Sequence, residues 1–352
     1  MPELSNAKRA GAATIVDVAR SAGVSIKTVS RVINNEVSVR QSTRAKVVEA
    51  IEHLGYKRNL FARSLRADKS FAFGLLYENP QGDYSADILH GALSACQERG
   101  YHLVVEIVSD NDLSSQVERF LATTKVDGVF LTPPVCDDPG VLSVLERTAT
   151  PFVRISPLNP AAGEPYVAIN DFEAAREITN YLLSLGHMRI GHIAGPANHH
   201  SARERHRGYQ TALEEAGIVY DDCLVLPGNF NFDSGKKAAG TFFALDEPPT
   251  AIFASNDQMA AGVLARAHEL KIQIPDEYSL VGFDGGTISE VVWPRLTTIN
   301  QSVRGLGVDA IRLLVNISED PDIEREPVFL PYEMKFGAST SRLEHAPRAG
   351  KS

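Results

Sequence analysis

Beyond residue 69 the chain reads as short apolar runs alternating with longer stretches of helical periodicity. FAFGLLY (71–77), HLVVEIV (102–108), GVFLT (128–132), FVRIS (152–156) and VAIN (167–170) have the length and composition of buried strands. Between them, ADILHGALSACQERG and SSQVERFLATTK return apolar residues every three or four positions, as amphipathic helices do. A second set, RIGHIAG, AIFAS, SLVGFD and TTIN, is again separated by helical stretches. Strand alternating with helix makes a parallel sheet covered on both faces. Two such sets predict two α/β lobes with a crevice at the carboxyl ends of their strands, where sheets of this kind bind ligands.

The first 69 residues have a different texture. Thr14 and Asp17 have the spacing of a capping box, with Asp in place of the usual Glu, and start a helix lined by Val18, Ala19 and Ala22. Gly23 ends it, and Ser25 is an acceptable N-cap for a second helix to about Asn34. Helix, short turn with Gly, helix is the helix-turn-helix pattern, in which the start of the second helix reaches base edges in the major groove. Ser25, Ile26, Lys27, Thr28 and Arg31 lie at or near that start, while Val29, Val32 and Ile33 face the first helix. A third helix is expected over residues 42–54, with Ala45, Val48, Ile51 and Leu54 on its apolar face and Gly55 as its stop.

Charge separates the same two regions. Up to Lys69 there are 13 Lys and Arg against 6 Asp and Glu, and beyond it 22 against 38. A basic head suits a polyanion, and the acidic body does not. At 352 residues with 43% hydrophobic content the chain can bury more than one core. The opening MPELSNAKRAGAA lacks an apolar signal core and no stretch has the length of a membrane span, so a cytoplasmic protein without membrane contact is expected. Cys96, Cys136 and Cys223 form no metal spacing and read as buried reduced thiols, and no metal or cofactor is expected.

Enzyme motifs fail on inspection. DSGKKAAG would need glycine at Phe230 to be a phosphate loop, and GFDGG is not a dinucleotide fingerprint. His199 and His200 read as a solvated loop pair. The polar residues at strand ends are more informative: Asn256 and Asp257 follow AIFAS, Asp284 ends SLVGFD and Arg205 lies in SARERHRGY after RIGHIAG. Aimed into a crevice, such groups suit a polyhydroxyl ligand, and Phe230 could stack on the apolar face of a sugar ring. Asn256 and Asp284 are also sensible N-caps, and Asp171, before FEAAREITNYLL, reads as the cap of that helix.

TIVDVARSAGVSIKTVSRVINN, STRAKVVEAIEHLGY and NLFARSLRADKS together resemble the headpiece and hinge of the LacI/GalR (lactose-repressor) family, and the likeness runs from Thr14 to about Ser341. The resemblance implies a helix-turn-helix headpiece over residues 1–57 and a hinge helix and linker over 58–69. It implies a two-lobed, periplasmic-binding-protein-like body over 70–342, with lobe 1 about 70–170 and 302–330 and lobe 2 about 171–301 and 331–342. Three crossovers would join the lobes, and residues 343–352 would form a flexible tail without the leucine heptads of a tetramer-forming helix. Thr14 and Asn34 belong with Ser25–Arg31 as DNA-contacting candidates. In the hinge the resemblance implies a minor-groove wedge at Leu65, a small residue at Ala62 where two hinge helices meet, and contacts from Asn59 and Arg63, with Lys57, Arg58 and Arg66 on phosphates. Asn59 follows Arg58 where many members have proline, and Trp293-Pro294-Arg295 replaces a common Pro-Pro run before a crossover that should survive. Matched strand ends add Tyr84, Thr132, Arg154 and Ser156 to the effector candidates Arg205, Phe230, Asn256 and Asp284. The resemblance implies a homodimer on palindromic double-stranded operator DNA, repressing carbohydrate-utilisation genes under control of a small sugar-like effector. A corepressor-dependent regulator responding to a nucleobase or other metabolite is the alternative.

Overall fold

The computed structural model describes residues 13–33, 38–56, 69–78, 83–109, 112–161, 163–320 and 326–343. The chain divides into two compact units, residues 1–69 and 70–352. Asn34, Lys57, Arg58, Asn59, Ala62, Arg63, Leu65 and Arg66 lie outside the described residues, as do residues 344–352.

The first unit holds α1 (Ile15–Ala22), α2 (Ile26–Ile33) and α3 (Gln41–Leu54). The Thr14 hydroxyl accepts from the Asp17 amide, and the Asp17 carboxylate accepts from the Thr14 amide. Gly23 stops α1 in the left-handed region at φ 65°, where a Cβ would be strained. Val18, Ala19, Val29, Val32, Val47 and Ala50 form the small shared core. The expected face of α3 holds in its second half, where Ile51 and Leu54 pack on the core, and fails in its first: Ala45 and Val48 are exposed, and Val47 and Ala50 face inward instead. The positions i, i+3, i+4 and i+7 from Val47 make the buried stripe, and a lone valine on the outer side misled the phase.

Among the described residues, the second unit has two six-stranded sheets. The first is ordered β11 (Val328–Phe329), β5 (Tyr166–Ala168), β4 (Phe152–Ile155), β3 (Val129–Leu131), β1 (Ala72–Tyr77), β2 (His102–Ile107), and every pairing is parallel. The second is ordered β12 (Glu333–Lys335), β10 (Thr297–Asn300), β9 (Ser279–Asp284), β8 (Ala251–Ala254), β6 (Ile190–Ala194), β7 (Val225–Pro227), parallel except for the pairing of β12 with β10. The chain leaves the first sheet after β5, returns after β10, and crosses again between β11 and β12. This is the two-lobed α/β body anticipated from the alternating pattern. The short strands β7, β11 and β12 carry too few residues to show a period and were not anticipated.

Helices cover both faces. Asp83–Arg99 lies against Val303–Glu319, the helix that follows the return from β10, and the contact is backbone to backbone. A Cβ on Gly91 would run into the Arg304 carbonyl, and one on Gly307 into the Ile88 carbonyl. Cysteine burial and the C-terminal segment differ from expectation. Cys223 is exposed, on a one-turn 3-10 segment, while Cys96 and Cys136 are buried. Leu343, assigned to the tail, donates its amide to the Leu185 carbonyl at 2.9 Å. Among the described residues, no helix is long and apolar enough to cross a membrane.

Candidate functional sites

The helix-turn-helix presents α2 with one buried and one open side. Val29 and Val32 are buried, whereas Ser25, Ile26, Lys27 and Arg31 are exposed and Thr28 is half-buried. Ser25 Oγ accepts from the Thr28 amide at 3.1 Å and lies 2.9 Å from Thr28 Oγ1, which fixes both hydroxyls at the helix start. Lys27 and Arg31 stand one turn apart on a helix without an acidic residue, and Ile26 is 40% exposed although apolar. A cationic stripe beside an exposed aliphatic group suits phosphate and a thymine methyl respectively. Thr14 is exposed, but its hydroxyl is already donated to Asp17 at 2.6 Å.

In the second unit a cleft of about 370 Å³ opens at the carboxyl ends of the strands of both sheets. Thr132 follows β3, Phe230 follows β7, Asn256 follows β8, Asp284 ends β9, and Tyr84 and Arg205 enter from the helices Asp83–Arg99 and His200–Glu215. These six of the eight effector candidates share one cavity. The other two are not in its wall. Arg154 is 3% exposed and is held by Asp137 and by Glu164, the latter at 2.8 Å; Ser156 is also buried. Arg154 therefore braces the segment behind Thr132, and the strand-end rule placed it correctly along the chain but on the wrong side of it.

Arg205 is the best-anchored group of the cleft. Its Nε donates to Asp171 Oδ1 at 2.8 Å and its Nη1 to the Ser255 carbonyl at 2.6 Å, and the guanidinium lies 3.6 Å from the centroid of the Phe283 ring. Nη1 also reaches Asp284 Oδ1 at 3.5 Å, and among the described residues no hydrogen bond holds Nη2. Asp171 is thus not the helix cap expected of it. Asn170 caps that helix by accepting from Glu173, and Asp171, 2% exposed, is the counter-ion of Arg205. Asn256 is a cap, accepting from the Met259 amide at 2.9 Å, and its Nδ2 donates to the Phe230 carbonyl at 3.0 Å. That bond seats Phe230, whose φ of 53° is unusual for a ring-bearing residue.

Electrostatics sharpen the picture. Burial pushes the Asp284 carboxyl up to about 6, against the pull of the Arg205 guanidinium and the Gln301 amide. Burial, aided by the Asp284 charge, raises the Tyr84 phenol well above its ordinary value, so its hydroxyl remains a donor. His199 is no solvated loop residue: it lines the cleft, its ring stands edge-on to Phe230 at 5.5 Å between centroids, and burial lowers its pKa. Asp257, noted with Asn256 after its strand, lines the wall as well, and so do Glu78, Asp83 and Asp87, which were passed over in the sequence because they carry no pattern of their own.

The arrangement is a binding cavity with fixed donors, acceptors and two aromatic rings, and comparison with known proteins agrees. Residues 14–59 match the sequence family of bacterial regulatory proteins, lacI family, and residues 179–340 match the periplasmic binding protein-like domain. Catabolite control protein A of Priestia megaterium is 32% identical over 336 residues, 93% of this chain and 99% of that protein. The HTH-type transcriptional repressor PurR of Vibrio atlanticus (strain LGP32) is 33% identical over 317 residues, 89% of this chain and 94% of its own. Among solved structures, the transcriptional regulator CelR in complex with cellobiose has a TM-score of 0.72 at 31% identity, covering 93% of this chain and 99% of that one. The lac repressor dimer bound to operator and the anti-inducer ONPF has a TM-score of 0.75 at 28% identity, covering 94% of this chain and all of that one (100%). These relatives are transcriptional regulators and not enzymes. On the identity and coverage of its relatives, and on its helix-turn-helix and two-lobed body, this chain belongs to the lacI family of DNA-binding transcriptional regulators.

Proposed function

We propose that this repressor acts as a cytoplasmic homodimer on palindromic operator DNA and is controlled by a neutral, sugar-like effector held in the cleft, with carbohydrate-utilisation genes as its targets. The observation that carries the effector class is the balance of the cleft wall. Glu78, Asp83, Asp87 and Asp284 stand against the guanidinium of Arg205, beside the rings of Tyr84 and Phe230. Carboxylates accept from hydroxyls and repel phosphate, and aromatic faces meet the C–H faces of a sugar ring. Arg205 Nη2 and Asp284 Oδ2 offer a donor and an acceptor to one ligand.

On the DNA side, Ser25, Ile26, Lys27, Thr28 and Arg31 are assigned to the major groove, with Thr14 and Asn34 at its margins. Residues 58–69 are assigned to the hinge, with Asn59, Ala62, Arg63 and Leu65 at the minor groove. The sequence likeness supports this part. Effector binding between the lobes would bias their juxtaposition and through it the hinge.

A nucleobase is the second reading. The similarity to purine repressors favours it, and two rings flanking polar groups suit a planar base as well. Thermal shift of the purified chain against neutral mono- and disaccharides and against free purines separates the two. Stabilisation by sugars is expected; stabilisation by purines alone would overturn the sugar reading. Genome-wide mapping of the bound operators then names the pathway.

A further inference from the structure

We propose that Gln301 is the positioning residue that holds Asp284 in its ligand-reading geometry and carries the state of that carboxylate into the connection between the two sheets. The proposal rests on the reading of Asp284 as an effector contact and adds the residue through which that contact is felt.

Gln301 is 2% exposed and follows β10 directly, where the chain leaves the second sheet for the helix Val303–Glu319 against the first. It grips Asp284 twice. Its backbone amide donates to the Asp284 carbonyl at 3.3 Å, and its side-chain Nε2 donates to Asp284 Oδ1 at 2.6 Å. One end of this contact, and the residue that follows the other, sit on unusual backbone. Asp284 has φ 114° and Ser302, next to Gln301, has φ 48°. A non-glycine residue holds such angles only where its surroundings over-determine it, and such residues gather at ligand clamps and switch points. Arg205, at 3.5 Å, is too far from Asp284 Oδ1 to be the principal restraint.

The chemistry favours a relay. A neutral amide occupies Oδ1 and leaves Oδ2 for a ligand, so a change in the charge or partners of the carboxylate alters its bond to Gln301. Because Gln301 is part of the connection itself, that change bears on the backbone about which the lobes must reorient. A switch needs a difference in interaction energy between two arrangements, and this contact supplies a place for it.

Four ionisable groups from other elements face Asp284. They are Arg205 from the helix His200–Glu215, Asp171 from Asp171–Ser184, Asp257 from Asp257–Leu270 and Tyr84 from Asp83–Arg99. Of these Arg205 favours the ionised carboxylate and Asp171 opposes it, while the Asp284 charge in turn raises Asp257. Burial raises the Asp284 value to about 6, and the Gln301 amide lowers it from where burial alone would set it.

The proton serves as the probe, which frees the test from the identity of the effector. In the full-length protein with ¹³C-labelled aspartate, the Asp284 carboxyl resonance, assigned by its loss in Asp284→Asn, is titrated by NMR. Gln301→Met keeps the volume and removes the donor. The midpoint should rise by about one pH unit, and an unchanged midpoint overturns the positioning role. In parallel, hydrogen-exchange protection factors of residues 301–306 are compared at pH 5 and pH 8. At least a threefold difference between the two is expected in the wild type and none in Gln301→Met. Equal pH dependence in both overturns the relay. Should Gln301→Met not fold, Gln301→Glu is used, in which two carboxyls share a proton and the midpoint rises further. Asp284→Asn with sugar binding retained would remove the effector reading while leaving the Gln301 contact standing, so the two failures are distinct.

Discussion

The carboxylate of Asp83 accepts the backbone amide of Ile288 at 3.1 Å, joining a helix packed on the first sheet to the segment after β9 of the second. The short helix Thr287–Val291 starts at Gly286, which has no side chain to cap it, so the cap comes from across the cleft. Asp83→Leu should lower the stability of the body by about 1.5–3 kcal/mol, while Asp83→Asn, which keeps an acceptor, should recover most of it. Urea titrations followed by far-UV circular dichroism compare the variants. Equal midpoints for Asp83→Leu and the wild type would dismiss the link.

Arg205 is buried with Asp171 and reaches Asp284, so removing it leaves buried carboxylates without their cation. Arg205→Ala is expected to cost about 3–5 kcal/mol of stability and to abolish the effector response, with operator affinity retained at temperatures where the variant is folded. Operator binding by fluorescence anisotropy, with and without effector, checks this; an intact response would take Arg205 out of the cleft chemistry.

The raised Asp284 value gives opposite pH trends for stability and binding. A free aspartate titrates near 3.9, and this one titrates at about 6. The native state therefore binds more protons than the unfolded chain between those values, and the contribution to stability grows as pH falls from about 6 to 4. A ligand hydroxyl that donates to the carboxylate needs it ionised, so affinity should fall toward tenfold per pH unit below about 6. Asp284→Asn should flatten both profiles, as scanning calorimetry for stability and titration calorimetry for binding, each from pH 4 to 8, would register.

On the headpiece, Lys27→Ala and Arg31→Ala should each weaken operator binding, and a phosphate contact differs from a base contact in its salt dependence. Loss of one phosphate contact lowers the slope of log affinity on log salt by about 1. A base contact instead relaxes sequence preference at one position. Leu65→Ala, chosen on sequence likeness, should weaken specific binding and reduce operator bending in gel-mobility assays, and unchanged bending would reject the wedge.

Much of the fold was legible because periodicity and strand ends are local. Nine strands and the helix-turn-helix followed from short windows, and so did Asp284, a polar group ending an apolar run; Arg205, well beyond its strand in a polar helix, was reached through the family resemblance. What was not legible depends on partners far along the chain. Asp171 looked like a cap because its neighbours are a helix start, and only the fold brings Arg205, thirty-four residues on, against it. Asp83 and Gln301 carry no local mark at all, since their partners Ile288 and Asp284 are reached through the sheet order. Val48 shows the complementary failure: the period was right, and the phase needed knowledge of which side the other two helices occupy.

The backbone contact of Gly91 and Gly307 has a mechanical consequence. Helices that touch without intervening side chains have no layer of rotamers to yield, so they cannot slide past one another in small steps. The helix after Gln301 and the helix that begins at Asp83 are therefore geared together. A displacement imposed at either end of the cleft is delivered to the whole of the first sheet rather than absorbed locally.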